Sequence, residues 1–484
     1  MIKVIKHEYH KGLFGVDEVS EVALNNALLA NILKVLPSTN VDNSNSNGAN
    51  NSNLVAITNP NNVYSLKYTT RVDCGLFSGI LKGKLVPTIS YATTHLEYSD
   101  SLKKMLNKFF DNRPPLSIIN IIYLNKYGRY FIASPSFNYE EAVSGVKVVW
   151  NGLNLNIKYN PEFNIFENQL IVPNLQLSAP TKVDITMTNL IYTSHTKYSV
   201  NNIKVGQSNL SVDTLKINVK DKVALGFRFG DILSSLTGIN GVEFLNGIDA
   251  VNPTNFALNK LSYVSSSQDE NDYFGAKATA KFATLVTNSK TYGPMELDLS
   301  VNHILAAPFS KMVDKVAIIS ASVPVASGST NTSKVQDSLI SAIKEYAGPI
   351  LVNKPEINLN KFMLNGPNGV IYVAGHATTN NFVLKDMNSQ ADFMQKMLLD
   401  VQFSIPKHVL SYMFMLQMKY LLSAGNAEMD QQSSEAFGSV VNILLDNQIN
   451  TWSKKGYIKN NKGILESHLS YREGKLFLNG VPSK

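Results

Sequence analysis

Val183–Leu190 reads VDITMTNL and Leu210–Val219 reads LSVDTLKINV. In both, apolar and polar side chains alternate with a period of two, which sends one set to each face of a strand. The same alternation runs through Leu153–Tyr159 (LNLNIKY) and Glu296–Val301 (ELDLSV). Strands of this kind pack one face on a core and turn the other to water, as antiparallel sheets do. Asn-Gly, the strongest two-residue hairpin signal because both residues tolerate positive φ, occurs seven times, at Asn47, Asn151, Asn240, Asn246, Asn365, Asn368 and Asn479. Several of these pairs sit between alternating runs, and most of the first 300 residues read this way.

The pattern changes toward the end of the chain. Val335, Leu339, Ile343 and Ala347 recur at a four-residue spacing, and Gly348-Pro349 then reads as a helix stop. Pro406 stands where a first helical turn tolerates it, ahead of an apolar helical pattern over Lys407–Ser423. The Met-rich face of that pattern reads as core filling. Ser433–Ser453 carries Phe437, Val440, Val441, Leu444, Leu445, Ile449 and Trp452 as another helix. Hairpins are expected over Glu356–Leu364 with Val370–Thr379, and over Leu465–Arg472 with Lys475–Asn479 around Glu473-Gly474. The fold expected is α+β, dominated by extended, twisted antiparallel sheet, with helices concentrated in the C-terminal third. Changes of pattern suggest three regions: a β-rich 1–150, a central antiparallel 151–330, and a helix-plus-hairpin 331–484. Residues 39–53 (TNVDNSNSNGANNSN) hold too little apolar surface to offset ordering entropy and are expected to be a loop.

Composition narrows the function. Hydrophobic residues make up 44% of the 484 and charged residues only 17%, against roughly 25% in ordinary soluble domains. A large core is available, and the surface is rich in neutral amides and hydroxyls. The formal net charge of +7 is dispersed. No basic stripe or aromatic–basic motif points to nucleic acid, and weak attraction to an anionic membrane surface fits better. Cys74 is the single cysteine, which excludes an internal disulfide and a cysteine-based zinc site. It reads as a small buried hydrophobe. No run of 18 apolar residues occurs, so no helical membrane span is expected.

Catalytic motifs are missing. Gly79–Lys84 (GILKGK) has the wrong spacing for a phosphate loop. There is no dinucleotide fingerprint, nucleophile elbow, zinc-protease helix or calcium loop. The eight histidines are scattered, and the odd spacing of His7 and His10 puts them on opposite faces of a strand. His376, beside Gly375, is the one to test; its plain reading is a strand histidine with an ordinary hydrogen bond. Asp269, Glu270 and Asp272 cluster among serines and read as a solvated turn. No cofactor or metal is expected.

Several stretches resemble one known family. His468–Pro482 (HLSYREGKLFLNGVP) resembles the closing strand, Gly turn and Leu-x-Leu-Asn-Gly signature of the YdgA-like bacterial envelope proteins, with Gly474, Leu478, Asn479 and Gly480 at its fixed points. Glu8–Phe14 (EYHKGLF), with Tyr9, Gly12 and Phe14, resembles the family's entry motif. Between them, Trp150 and Gly152 in VVWNGL, Gly293 and Pro294 in YGPMELDL, and Gly369 in LNLNKFMLNGPNG fall in family order. The resemblance implies the periplasmic part of a protein held to the inner membrane by a segment upstream of Ile2. It carries over no catalytic residue. The expected function is thus a non-catalytic envelope protein that binds lipid or scaffolds an envelope partner. A host-facing or homo-oligomeric interaction protein is the alternative, and an envelope hydrolase the third reading.

Overall fold

The structure, a computed structural model, describes residues 2–11, 15–25, 63–83, 87–98, 100–220, 255–287, 290–322, 332–367, 369–411 and 431–483. The chain divides into two compact units. One comprises Met1–Val200, Lys204–Gly226 and Asp314–Ser341; the other comprises Asn201–Ile203, Phe227–Val313 and Ala342–Lys484. Both are built on antiparallel strands, as the alternation predicts.

In the first unit, β1 (Ile2–Lys11), β2 (Gly15–Asn25), β3 (Val63–Cys74), β4 (Thr88–Glu97), β5 (Ser117–Tyr123) and β6 (Gly128–Ser134) form a meander, each paired with the next. β7 (Phe137–Glu140) and β8 (Lys147–Trp150) form a short ribbon. β9 (Leu153–Tyr159) returns beside β6, and the long β10 (Ile165–Ala179), β11 (Val183–Tyr198) and β12 (Lys204–Val219) follow in order. The first half of β10 pairs with β9 and its second half with β8. Helix α1 (Asp100–Phe110) brings Leu106, Phe109 and Phe110 onto one side at the three- and four-residue spacing. That side packs on Phe137, Tyr139 and Trp150 of the ribbon.

The long strands do not alternate without a break. In β10 the inward set is Phe166, Asn168, Leu170 and Val172, and then Leu175, Leu177 and Ala179. The phase slips by one residue at Pro173, which has no N–H to give a ladder. β11 slips opposite it at Asn189, which takes a φ of 49°. β12 slips at Asp213, whose Oδ2 accepts from Asn189 Nδ2 at 2.8 Å. On the other side Gly152, at φ 89°, separates β8 from β9. A Cβ there would lie 2.8 Å from the carbonyl oxygen of Ser134. Pairing stays one-to-one across the slips, so neighbouring strands change phase at the same level and the apolar set resumes on the same face. The slips lie side by side and keep the apolar set of neighbouring strands together.

In the second unit the strands are β13 (Asn255–Glu270), β14 (Tyr273–Phe282), β15 (Thr284–Thr287), β16 (Lys290–Tyr292), β17 (Met295–Leu305), β18 (Glu356–Gly366), β19 (Gly369–Thr379), β20 (Met397–Pro406), β21 (Lys459–Asn461), β22 (Ile464–Arg472), β23 (Lys475–Leu478) and β24 (Val481–Pro482). The ladder runs β13, β14, β17, β18, β19, β20, β22, β23, β24. Helices α2 (Ala306–Ser322) and α3 (Thr332–Val352), each divided between the two units, precede β18 in the chain; α4 (Gln390–Lys396) precedes β20 and α5 (Gln431–Lys454) precedes β21.

Helices are spread more widely than expected, since α1 lies in the first third and α2 begins at Ala306. The stop expected at Gly348-Pro349 is also overridden, because α3 runs on to Val352 with Pro349 inside it. Proline in a helix interior costs about 3 kcal/mol. Tertiary packing offsets that cost: Ile350 is buried, and a Cβ on Gly348 would meet Leu384 and Met387 within 3 Å. The carbonyl of Pro349 accepts from Asn353 Nδ2 at 2.8 Å. α5 spans the helix expected at Ser433–Ser453. Only 407–411 of the helix expected over Lys407–Ser423 is described, and it is helical; the Asn-rich tract at 39–53 lies outside the described residues.

The phase slip yields a test. Asn189→Ala loses both a residue that tolerates positive φ and the bond to Asp213, and it should lower the unfolding free energy by about 1–2 kcal/mol. Asn189→Gly keeps the backbone freedom and should lose about half as much. Urea unfolding midpoints of the two variants check the order.

Candidate functional site

Residues directly opposite in an antiparallel ladder share a face. In the second unit this rule assembles three apolar rows. One runs Ala280, Leu297, Phe362, Val373, Phe403. The next runs Ala278, Leu299, Leu359, Gly375, Val401, Leu469. The third runs Ala276, Val301, Ile357, Ala377, Leu399. All three lie on one face of one sheet. Cover is partial: Leu445 and Ile449 of α5 bury Leu465, yet Ile357 is 54% and Leu299 41% exposed. Ala278, Gly375 and Ala377 are small, which makes the rows low at those points. At Gly375 a Cβ would lie 3.0 Å from the carbonyl oxygen of Asp400, so glycine permits the close approach of β19 and β20.

The opposite face is polar. Lys361 Nζ donates to Glu296 at 2.7 Å and Lys281 lies 2.9 Å from its other oxygen. The Lys361 bond, followed by that from Lys281, draws the Glu296 carboxyl down to about 2. Lys277 pairs with Asp298 at 3.0 Å. Nδ1 of His376 donates to Oδ1 of Asn358 at 2.6 Å, and His376 stands opposite Asp400 in the ladder. Nε2 of His468 in turn donates to Oδ2 of Asp400 at 2.6 Å. The histidine singled out from the sequence is thus a strand histidine in a hydrogen-bonded row.

The first unit carries a polar groove of about 380 Å³ on the face away from Leu170 and Tyr192. Arg129, Lys158, Glu167, His195 and Gln207 cross five strands in one register row. Lys158 Nζ donates to Glu167 at 2.7 Å, and His195 Nδ1 lies 3.7 Å from its other oxygen. Lys158, and behind it the nearby His195, holds the Glu167 carboxyl below the usual carboxylate range. Arg129 bonds Asn156 Oδ1 at 2.5 Å and sits 4.5 Å over the Phe131 ring. These charges engage one another across an open surface. Among the described residues no group of three or more His, Cys, Asp or Glu side chains is placed to hold a metal ion.

The residues that carried the family resemblance hold the fold at its turns and are not brought together. Tyr9 lies in β1 opposite Glu18; Gly12 and Phe14 lie outside the described residues. Trp150 Nε1 donates to Ser134 Oγ at 3.0 Å, and Gly152 marks the phase slip. Asn151-Gly152 is therefore a strand break where a hairpin was the expectation. Gly293 takes a φ of 111°, donates to Asn365 O at 2.6 Å, and would place a Cβ 2.5 Å from Ala283 O. Pro294 accepts in return from Asn365 N–H at 3.1 Å. Gly369, at φ 120°, closes the β18–β19 hairpin. Glu473-Gly474 and Asn479-Gly480 have positive φ at both positions, which is the geometry of two-residue hairpins. Leu478 stands between them in β23, opposite Leu469. Asn479 gains most from its place: its N–H donates to His468 O at 2.7 Å and its Oδ1 accepts from His468 N–H at 3.0 Å. Its Nδ2 donates to Gly456 O at 3.2 Å and to Tyr457 O at 3.0 Å. Cys74, expected to be buried, is exposed at the end of β3.

This architecture defines the chain as a β-rich protein of open, two-faced antiparallel sheets. A family model described as "Bacterial protein of unknown function (DUF945)" matches residues 2–484, and the chain belongs to that family. No curated protein and no solved structure matches it. No described helix is long and apolar enough to cross a membrane.

Two measurements check these contacts. Asn479→Ala should cost about 1–3 kcal/mol in denaturant unfolding, because several backbone groups lose partners. The Glu296 carboxyl should titrate near 2 by side-chain NMR, against its ordinary 4.5. Its folded value lies below its unfolded value, so its contribution to stability is complete above about 4.5 and fades as pH falls through about 2. Lys361→Gln should move the titration upward.

Proposed function

We propose that this chain is a non-catalytic protein of the bacterial cell envelope that holds the acyl part of a lipid on the apolar face of its second unit. The observation behind this reading is the set of apolar rows that cross β14, β17, β18, β19 and β20 and leave Ile357 and Leu299 in contact with solvent. An amphipathic sheet must cover its oily side with something, and contiguous exposed apolar surface marks a place where a ligand or partner docks. Gly375 and Ala377, two residues apart on β19, leave a low strip for a chain of methylenes beside the taller Leu359 and Ile357. Each buried methylene contributes about 0.8 kcal/mol, so an acyl chain over these rows gains enough to be retained through purification. What supports the envelope part of the proposal is the resemblance of His468–Pro482 and Glu8–Phe14 to motifs of envelope proteins.

Native mass spectrometry on protein purified without detergent tests this. Adducts with masses of phospholipids should accompany the wild-type chain. Leu299→Lys with Ile357→Lys places two charges on the exposed part of the face and should remove most of the adduct while circular dichroism stays the same. Wild-type protein free of lipid, or adducts indifferent to the double substitution, would overturn the reading.

A further inference from the structure

Antiparallel strands alternate in direction, so the turns of a meander gather at two opposite ends of the sheet. In the first unit the ends of β3, β5, β9 and β11 and the starts of β4, β6, β10 and β12 share one end; Gly128 opposite Tyr159, Ile165 opposite Lys197 and Tyr198 opposite Lys204 place them there. Three separate turns at this end each offer a large apolar side chain to water. They are Leu76 and Phe77 after β3, Leu124 and Tyr127 between β5 and β6, and Phe163 between β9 and β10. Phe77 is 67% exposed.

The first of these turns is built to hold its apolar residues outward. Thr88 and Ser78 are buried beneath it, with their hydroxyls 2.9 Å apart. Ser78 Oγ donates to Gly75 O at 2.8 Å, Gly79 N–H donates to Thr88 Oγ1 at 3.0 Å, and Gly75 N–H donates to Ile89 O at 2.9 Å. A short helical turn, Ile80–Lys82, completes it. Leu76 and Phe77 therefore stand on a turn fixed from below by polar bonds. Cations stand beside the apolar tips. Lys126, Lys197 and Lys204 are exposed, and Arg71 and Lys82 share the one carboxylate of Asp73.

We propose that this end of the first unit docks on an anionic lipid bilayer, with Leu76, Phe77 and Leu124 entering the interface and the lysines meeting the headgroups. Apolar tips carried on separate turns with lysines between them suit a fluid surface, which closes around each tip and attracts the cations. The proposal concerns a different unit from the acyl-chain reading above and does not depend on it.

Vesicle co-sedimentation of the full chain tests it. Vesicles of phosphatidylglycerol with phosphatidylethanolamine should carry the protein down, and vesicles of phosphatidylcholine alone should carry much less. Leu76→Ser, Phe77→Ser and Leu124→Ser together should weaken the anionic-vesicle binding by at least about tenfold with an unchanged melting curve, because all three side chains are exposed. Lys82→Gln with Lys126→Gln should cut binding and flatten its salt dependence. An environment-sensitive dye on Cys74, the only cysteine and beside the turn, should brighten with anionic vesicles. Failure of wild-type protein to bind them, binding that ignores the triple substitution, or a wild-type dimer that the triple substitution splits without any vesicle binding would each overturn the proposal.

Discussion

The backbone ladder governs this protein. Every strand N–H and C=O needs a partner when water is excluded, and in an antiparallel pair that need fixes which residue faces which. Once Leu299 is opposite Leu359 and Leu359 opposite Gly375, the faces of their neighbours follow, and a one-residue register shift in β18 between Leu359 and Phe362 keeps Phe362 on the apolar side. A shift by one residue would exchange oily and polar faces throughout. The two-faced character of the second unit, with apolar rows on one side and the Lys–Glu, His–Asn and His–Asp contacts on the other, is a consequence of that parity.

Long strands bend and coil, and parity must survive the bend. The first unit manages this with a transverse line of slips at Gly152, Pro173, Asn189 and Asp213. Each member fits its place for a local reason: absent Cβ, absent N–H, tolerance of positive φ, or a carboxylate that accepts the amide of its neighbour. In the second unit Gly293 and Pro294 exchange hydrogen bonds with Asn365 across a comparable break. Gly152, Gly293 and Pro294, with Asn479 at the last turn, are among the residues that carried the family resemblance. They set where strands turn and slip.

The strands were legible in the sequence because period-two alternation records a physical demand directly, and Val183–Leu190, Leu210–Val219 and both late hairpins lie where that alternation placed them. The slips were less legible. TNLIYT and VPNL contain them, but a one-residue change of phase looks like noise until three strands show it at one level. Helix α1 was missed because DSLKKMLNKFF is short and its apolar side meets a ribbon distant in sequence. The stop at Gly348-Pro349 misled because local propensity there yields to packing against Leu384 and Met387. The polar groove and the apolar rows were illegible for a different reason: each takes one or two residues from every strand, and only register brings them together. His376 was visible as a residue, whereas its partner Asn358 and the Asp400–His468 contact were not.

The central claim is that ladder register sorts the second unit's sheet into an apolar and a polar face. Spin labels placed singly at positions 399, 400, 401 and 402, in a chain whose Cys74 is changed to serine, read this directly through collision with oxygen and with a water-soluble nickel complex. Labels at 399 and 401 should favour oxygen, and labels at 400 and 402 should favour nickel. A profile without that two-residue rhythm, or with the rhythm inverted, would contradict the account.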